Sequence, residues 1–149
     1  MKNDLAVMVF FVYYLCMPKK IVVVEDDQAF FNLCATELKL KGYEVVHVAD
    51  GNLAVSRIRE EMPDLILLDI ILPGINGLDI LRELKEAEET AEIAVIMLTN
   101  FGTDENISKA VELGADDYLM KYNLVPSELP EKLGPYLGDE SSAGVALPR

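Results

Sequence analysis

Basic charge, paired cysteines and long apolar runs are all scarce in this chain, and each shortage removes a class of function. Thirteen Lys and Arg residues stand against 26 Asp and Glu, a formal net charge of -13. A field of that sign repels polyanions and no basic stripe interrupts it, so neither nucleic acid nor an acidic membrane surface is an expected partner. Two cysteines, Cys16 and Cys34, form neither a metal-ligand cluster nor a redox motif. Buried, reduced thiols are the expectation, in keeping with a cytoplasmic setting. There is no glycine-rich phosphate loop and no internal repeat. His47, the single histidine, stands on an expected strand without a visible partner and reads as structural.

The longest apolar run, residues 5–17 (LAVMVFFVYYLCM), falls short of the roughly 18 to 20 residues that span a bilayer. It has the length of a signal-peptide core, but the small-residue cleavage site is missing and Asp4 spoils the positive start made by Lys2. Met17 would open a soluble domain cleanly with MPKKIVVV. Residues 1–17 therefore read first as an extra segment from a gene-model extension, next as a weak membrane-associating or packing segment, and last as a signal peptide.

What remains is enough for one domain: 149 residues with 51% hydrophobic content fill a single core. Apolar runs alternate with amphipathic stretches. Strands are predicted at 21–24, 43–48, 65–69, 93–98 and 117–120. Helices are predicted at 28–41, closed by Gly42; at 50–62, capped by Asp50, with Leu53, Val55, Ile58 and Met62 on one side; at about 76–89, burying Leu78, Leu81 and Leu84; and from Thr103 or Asp104 to Gly114. A short last helix near 127–137 should end or kink at Gly134-Pro135. This alternation implies an α/β fold, a doubly wound five-stranded parallel sheet of flavodoxin-like order 2-1-3-4-5 with helices on both faces. The domain is expected over 18–138 and the polar tail 139–149 is expected to be disordered.

The ends of the strands carry the functional argument. Val24 runs into Glu25-Asp26, Leu68 into Asp69, Leu98 into Thr99 and Met120 into Lys121, so four of the five apolar runs end on a reactive group at one edge of the sheet. In open parallel sheets that edge is where ligands bind. Glu25, Asp26 and Asp69 would crowd their carboxylates together, and their mutual repulsion calls for a cation. Mg2+ suits them, because it takes oxygen ligands and needs only one or two carboxylates besides water and phosphate oxygens. An ion on Asp26 and Asp69 would draw a phosphate donor to Asp69, whose carboxylate can attack phosphorus, while Lys121 and Thr99 meet the phosphoryl oxygens.

These segments, IVVVEDD, LILLDIILPGINGLDIL, VIMLTN and GADDYLMK in that order, resemble the receiver domain of bacterial two-component response regulators over about residues 19–137. The resemblance implies that Asp69 is the phosphoacceptor and that Glu25 and Asp26 are the acidic pair. It implies that Asp26, Asp69 and the Ile71 backbone carbonyl ligate Mg2+, and that Thr99 and Lys121 are the family's hydroxyl and lysine. Asp27 is left as a helix cap. It further implies a phosphohistidine donor, on a sensor histidine kinase or a histidine phosphotransfer protein. Thr99 would move toward the phosphoryl group as Tyr118, three before the lysine, turns inward. An unknown downstream protein would read the surface of the 103–114 helix and the 117–120 strand.

Three positions depart from the common pattern. Asn100 follows Thr99 where a small residue is usual, and Tyr122 follows Lys121 where proline is usual; the last helix is weak. A cis bond before a non-proline costs roughly 3–4 kcal/mol, so a trans Lys121–Tyr122 bond is expected. Ile71 and Phe101, two past Asp69 and Thr99, are apolar and unable to orient a water, which predicts slow self-dephosphorylation.

The leading reading is thus a stand-alone phosphorylatable receiver, with no stretch left over for a DNA-binding domain and no small-molecule substrate beyond a phosphodonor. A phosphorylation-independent scaffold on the same fold is the alternative, supported by Asn100 and Tyr122. An aspartate-nucleophile phosphatase would carry a second Asp two residues after the first, where Ile71 stands.

Overall fold

Strand β3 (Leu65–Asp69) is buried at every position, and β1 (Lys20–Val24) at every position after Lys20, as continuous apolar runs covered on both faces must be. Around them lie β2 (Glu44–Val48), β6 (Ala94–Thr99) and β7 (Asp117–Met120), all parallel, in the spatial order β2-β1-β3-β6-β7. The expected order 2-1-3-4-5 of the long strands is therefore the observed one. The structure is a computed structural model that describes residues 2–100 and 103–139.

Alternation along β1 and β3 divides the core in two. Val22, Val24, Ile66 and Leu68 face α3 (Ala54–Glu61) and α4 (Gly77–Glu86), with Ala110 of α5 (Asp104–Glu112) in the same cluster. Ile21, Val23, Leu65 and Leu67 face α2 (Gln28–Leu40) and α6 (Leu129–Leu133). Among the described residues, none before Ile21 belongs to either cluster. Helix α1 (Lys2–Cys16) precedes the sheet, and no helix among the described residues is long and apolar enough to cross a membrane.

Several boundaries differ from expectation for local reasons. Asp50 caps a short 3-10 turn, Gly51–Leu53, accepting from Asn52 N, and α3 begins only at Ala54. Ile58 is buried and Val55 packs against the core, as expected, together with Ala54, whereas Leu53, in the 3-10 turn, and Met62, in the left-handed cap that ends the helix, are exposed. Helix α4 stops at Glu86, three residues early. At the other end of the chain α6 gives way at Gly134 to a 3-10 turn, Gly134–Leu137, which agrees with the expected break. Asp139 is held in place: its N–H donates to the Gly134 carbonyl and its carboxylate accepts from the Tyr43 hydroxyl at 3.1 Å. The rest of the expected tail lies outside the described residues. A two-residue antiparallel hairpin, β4 (Ile71–Leu72) and β5 (Ile75–Asn76), turns at Pro73–Gly74 and was not anticipated.

Candidate functional site

Because the strands are parallel, their carboxyl ends share one rim. Glu25 follows β1 directly, Asp69 ends β3, Thr99 ends β6 and Lys121 follows β7. Glu25, Asp69 and Thr99 are buried and Asp26 is exposed. Carboxylate oxygens of Glu25, Asp26 and Asp69 lie within 4.8 Å of one another. The predicted cluster of carboxylates is therefore present.

The cation in this arrangement is Lys121. Its ammonium donates to Asp69 Oδ2 at 2.6 Å and also to Glu25 Oε2. The remaining oxygens are engaged as well: Asp69 Oδ1 accepts the Ile71 N–H at 3.1 Å, and Glu25 Oε1 accepts the Asp27 N–H at 2.9 Å. Burial alone would lower the Lys121 pKa, but the hydrogen bonds to Asp69 and Glu25 outweigh it and hold the ammonium above the usual lysine range. Glu25 is also pushed upward, first by its burial and further by the charge of Asp69, against the pull of Lys121 and the Asp27 N–H. The two shifts differ in sense for the ion pair, Lys121 favouring it and Glu25 resisting it. One ammonium shared by two carboxylates accounts for this: Lys121 gains from both, whereas Glu25, wholly out of water, gains from one.

Local chemistry places these groups. Asp27 caps α2, accepting from Phe30 N at 3.1 Å, as expected, and so turns the chain sharply after the acidic pair. Asn76 caps α4 through Leu78 N, and Gly77 lies so close beneath β3 that a Cβ there would stand 2.0 Å from the Asp69 carbonyl oxygen. Sequence reasoning missed three further neighbours. The Phe30 ring centroid is 4.7 Å from the Lys121 ammonium, a cation–π contact. His47 stacks on Phe31 with ring centroids 3.7 Å apart and donates from Nε2 to the Glu25 carbonyl at 2.7 Å, so it has the partners the sequence did not reveal. The available signal was position: Phe30 and Phe31 sit in the first turn after the acidic pair.

Tyr118, paired in register with Met97, is 39% exposed. Ile71 and Tyr122 are exposed, as is Asn100. The described chain contains no cis peptide bond, so Lys121–Tyr122 is trans. Phe101 lies outside the described residues.

Fold and rim together define a doubly wound α/β domain whose acidic site, at the carboxyl ends of its strands, is closed by a lysine. Within that class, residues 21–133 match the Response regulator receiver domain, and the chain belongs to that family. It is 38% identical over 115 residues to the phosphate regulon transcriptional regulatory protein PhoB of Rhizobium meliloti, covering 77% of this chain and 49% of that protein. The chain thus spans about half the length of this curated relative. Among solved structures it is similar to a CheY-like receiver domain protein of Methanospirillum hungatei, with TM-score 0.76 and 30% identity, covering 86% of this chain and 100% of the other. It is also similar to the Mn2+-bound form of the response regulator Rcp1, with TM-score 0.68 and 30% identity over 89% and 100% of the two chains.

Proposed function

We propose that the protein is a phosphorylatable receiver that takes a phosphoryl group onto Asp69 from a phosphohistidine of a sensor kinase or phosphotransfer protein, and that this changes which downstream protein it binds. The observation that carries the reading is the ammonium of Lys121 held between Glu25 and Asp69. Two carboxylates sharing one lysine, with a third close by, at this rim serve charge management during transfer better than they serve stability.

An Asp69 oxygen forms the new P–O bond while the P–N bond to the donor imidazole, protonated on its other ring nitrogen, breaks, leaving an acyl phosphate and a neutral histidine on the donor. Lys121, released from one carboxylate, holds charge on the phosphoryl oxygens, and the Thr99 hydroxyl donates to another. The donor set fits a hard divalent ion, because Glu25, Asp26 and Asp69 offer only carboxylate oxygens and Asp26 opens to water. Asp26, Asp69 and the Ile71 carbonyl would hold Mg2+, which when bound supplies positive charge beside the phosphoryl group. Rcp1, similar in fold, has a Mn2+-bound form. Engagement of Thr99 and inward rotation of the half-exposed Tyr118 would remodel the α5–β7 surface.

Incubation with Mg2+ and acetyl phosphate, followed by intact mass, tests the reading. One added phosphoryl group that Asp69→Asn abolishes supports it. No added mass on the wild-type chain with Mg2+ would favour the phosphorylation-independent scaffold.

A further inference from the structure

Helix α1 has no polar face. From Leu5 to Leu15 the residues are apolar or aromatic without interruption, and the large side chains are each 56–70% exposed. At 100° per residue such a run covers the whole circumference. Lys2 and Asp4 bound it on one side and Lys19 and Lys20 on the other.

Those limits decide what can cover it. A second copy or a partner helix packs along one stripe and leaves the opposite side in water. Only a medium that surrounds the helix removes all of it, and hydrocarbon does so. At 1.5 Å per residue the fifteen residues extend about 22 Å, less than the roughly 30 Å of a bilayer core. The helix therefore lies within one leaflet without crossing, so that the charged residues bounding it at both ends need not enter hydrocarbon. Tyr13 and Tyr14, near the end that leads into Lys19, are of the type that settles at headgroup level.

We propose that α1 seats this protein on a lipid surface by burying its apolar circumference in the acyl region of one leaflet. The attachment is apolar, since the net charge of -13 repels anionic headgroups. It also leaves the receiver site accessible. Helix α1 leads into the amino end of β1, the rim opposite Glu25 and Asp69, so the point of attachment lies away from the acidic edge. This inference stands apart from phosphorylation at Asp69, and the two fail by different measurements.

The test is flotation of the full chain with phosphatidylcholine vesicles in 0.5 M NaCl. Most of the protein should rise with the vesicles, and Val9→Glu with Val12→Glu should lower the floated fraction at least tenfold. The chain lacking residues 2–16 should stay at the bottom; neither core cluster uses a residue before Ile21, so this shortened domain keeps its fold, which circular dichroism checks. A wild-type chain that stays at the bottom overturns the proposal, whether it is monomeric or forms an oligomer that the glutamate variant dissolves. Equal flotation of the wild type and the glutamate variant also overturns it, because the binding would then belong to the domain body.

Discussion

Lys121 and Asp69, 52 residues apart in sequence, meet at 2.6 Å with their side chains 9% and 8% exposed. A buried pair of this kind is worth little against a hydrophobic replacement, yet removal of one partner strands the other. Lys121→Met would strand two carboxylates, Glu25 and Asp69. The expected loss is about 3 kcal/mol in urea unfolding without divalent ions. Millimolar Mg2+ should recover part of it, because an ion that binds only the folded state stabilises that state. An unchanged midpoint would show that the lysine contributes nothing to folding.

Gly77 should tolerate no side chain. The clash of an added Cβ is with the Asp69 carbonyl oxygen, a backbone atom with no freedom to rotate aside. Gly77→Ala is expected to cost about 3 kcal/mol and to slow phosphorylation by shifting Asp69. Gly51→Ala meets side-chain atoms of Ile75 and Leu72 instead, which can move, so about 1 kcal/mol is expected there. Thermal melts of the two variants, compared with their phosphorylation rates, separate strain at the site from strain elsewhere.

Alkaline stability should depend on two phenols. Tyr43, through burial and its hydrogen bond to Asp139, and Tyr136, through its 2.6 Å bond to Asp117 and burial, are each pushed up to about 12. A phenol whose pKa is higher folded than unfolded contributes stability that is complete below about pH 10 and lost as pH rises toward 12. Urea midpoints should therefore fall between pH 10 and 11.5. Tyr43→Phe should be less stable at pH 8 by about 1 kcal/mol and show a shallower alkaline decline. An identical slope in wild type and variant would rule out the linkage.

On the proposed function, Ile71 would bear on the lifetime of the acyl phosphate. Its N–H binds Asp69 Oδ1 while its side chain is 62% exposed, an apolar group beside the proposed phosphoryl position. Ile71→Asn, alone or with Phe101→Glu, should shorten the half-life of the acyl phosphate several-fold by giving an attacking water a partner. Intact mass against time reads this directly, and an unchanged half-life removes Ile71 from the account.

The strands and their polar ends were legible because burial on both faces writes itself as an apolar run and its termination as a single hydrophilic residue. Asp27, Asn76 and Thr103 announced the starts of α2, α4 and α5 by capping chemistry that acts within three residues. The β4–β5 hairpin was not legible, since two residues per strand establish no period. Of α3, Ile58 and Val55 were legible as inward-facing, but the ends were not: Leu53 falls in a 3-10 turn and Met62 in a left-handed cap, both outside the regular helix whose period was read. Lys121 was identified as a positive charge for phosphoryl oxygens. Its contact with Glu25, 96 residues away, needed three dimensions.

That contact makes competence contingent on synthesis of nearly the whole domain. The counter-charge for Glu25 and Asp69 arrives only after β7, so an unfinished chain carries its acidic cluster without the lysine and without the last neighbour of β6. Such a fragment has the Asp69 carboxylate but lacks the ammonium that pairs with it. On the proposed function, truncated or half-folded copies would compete poorly for a donor, a check that follows from strand order.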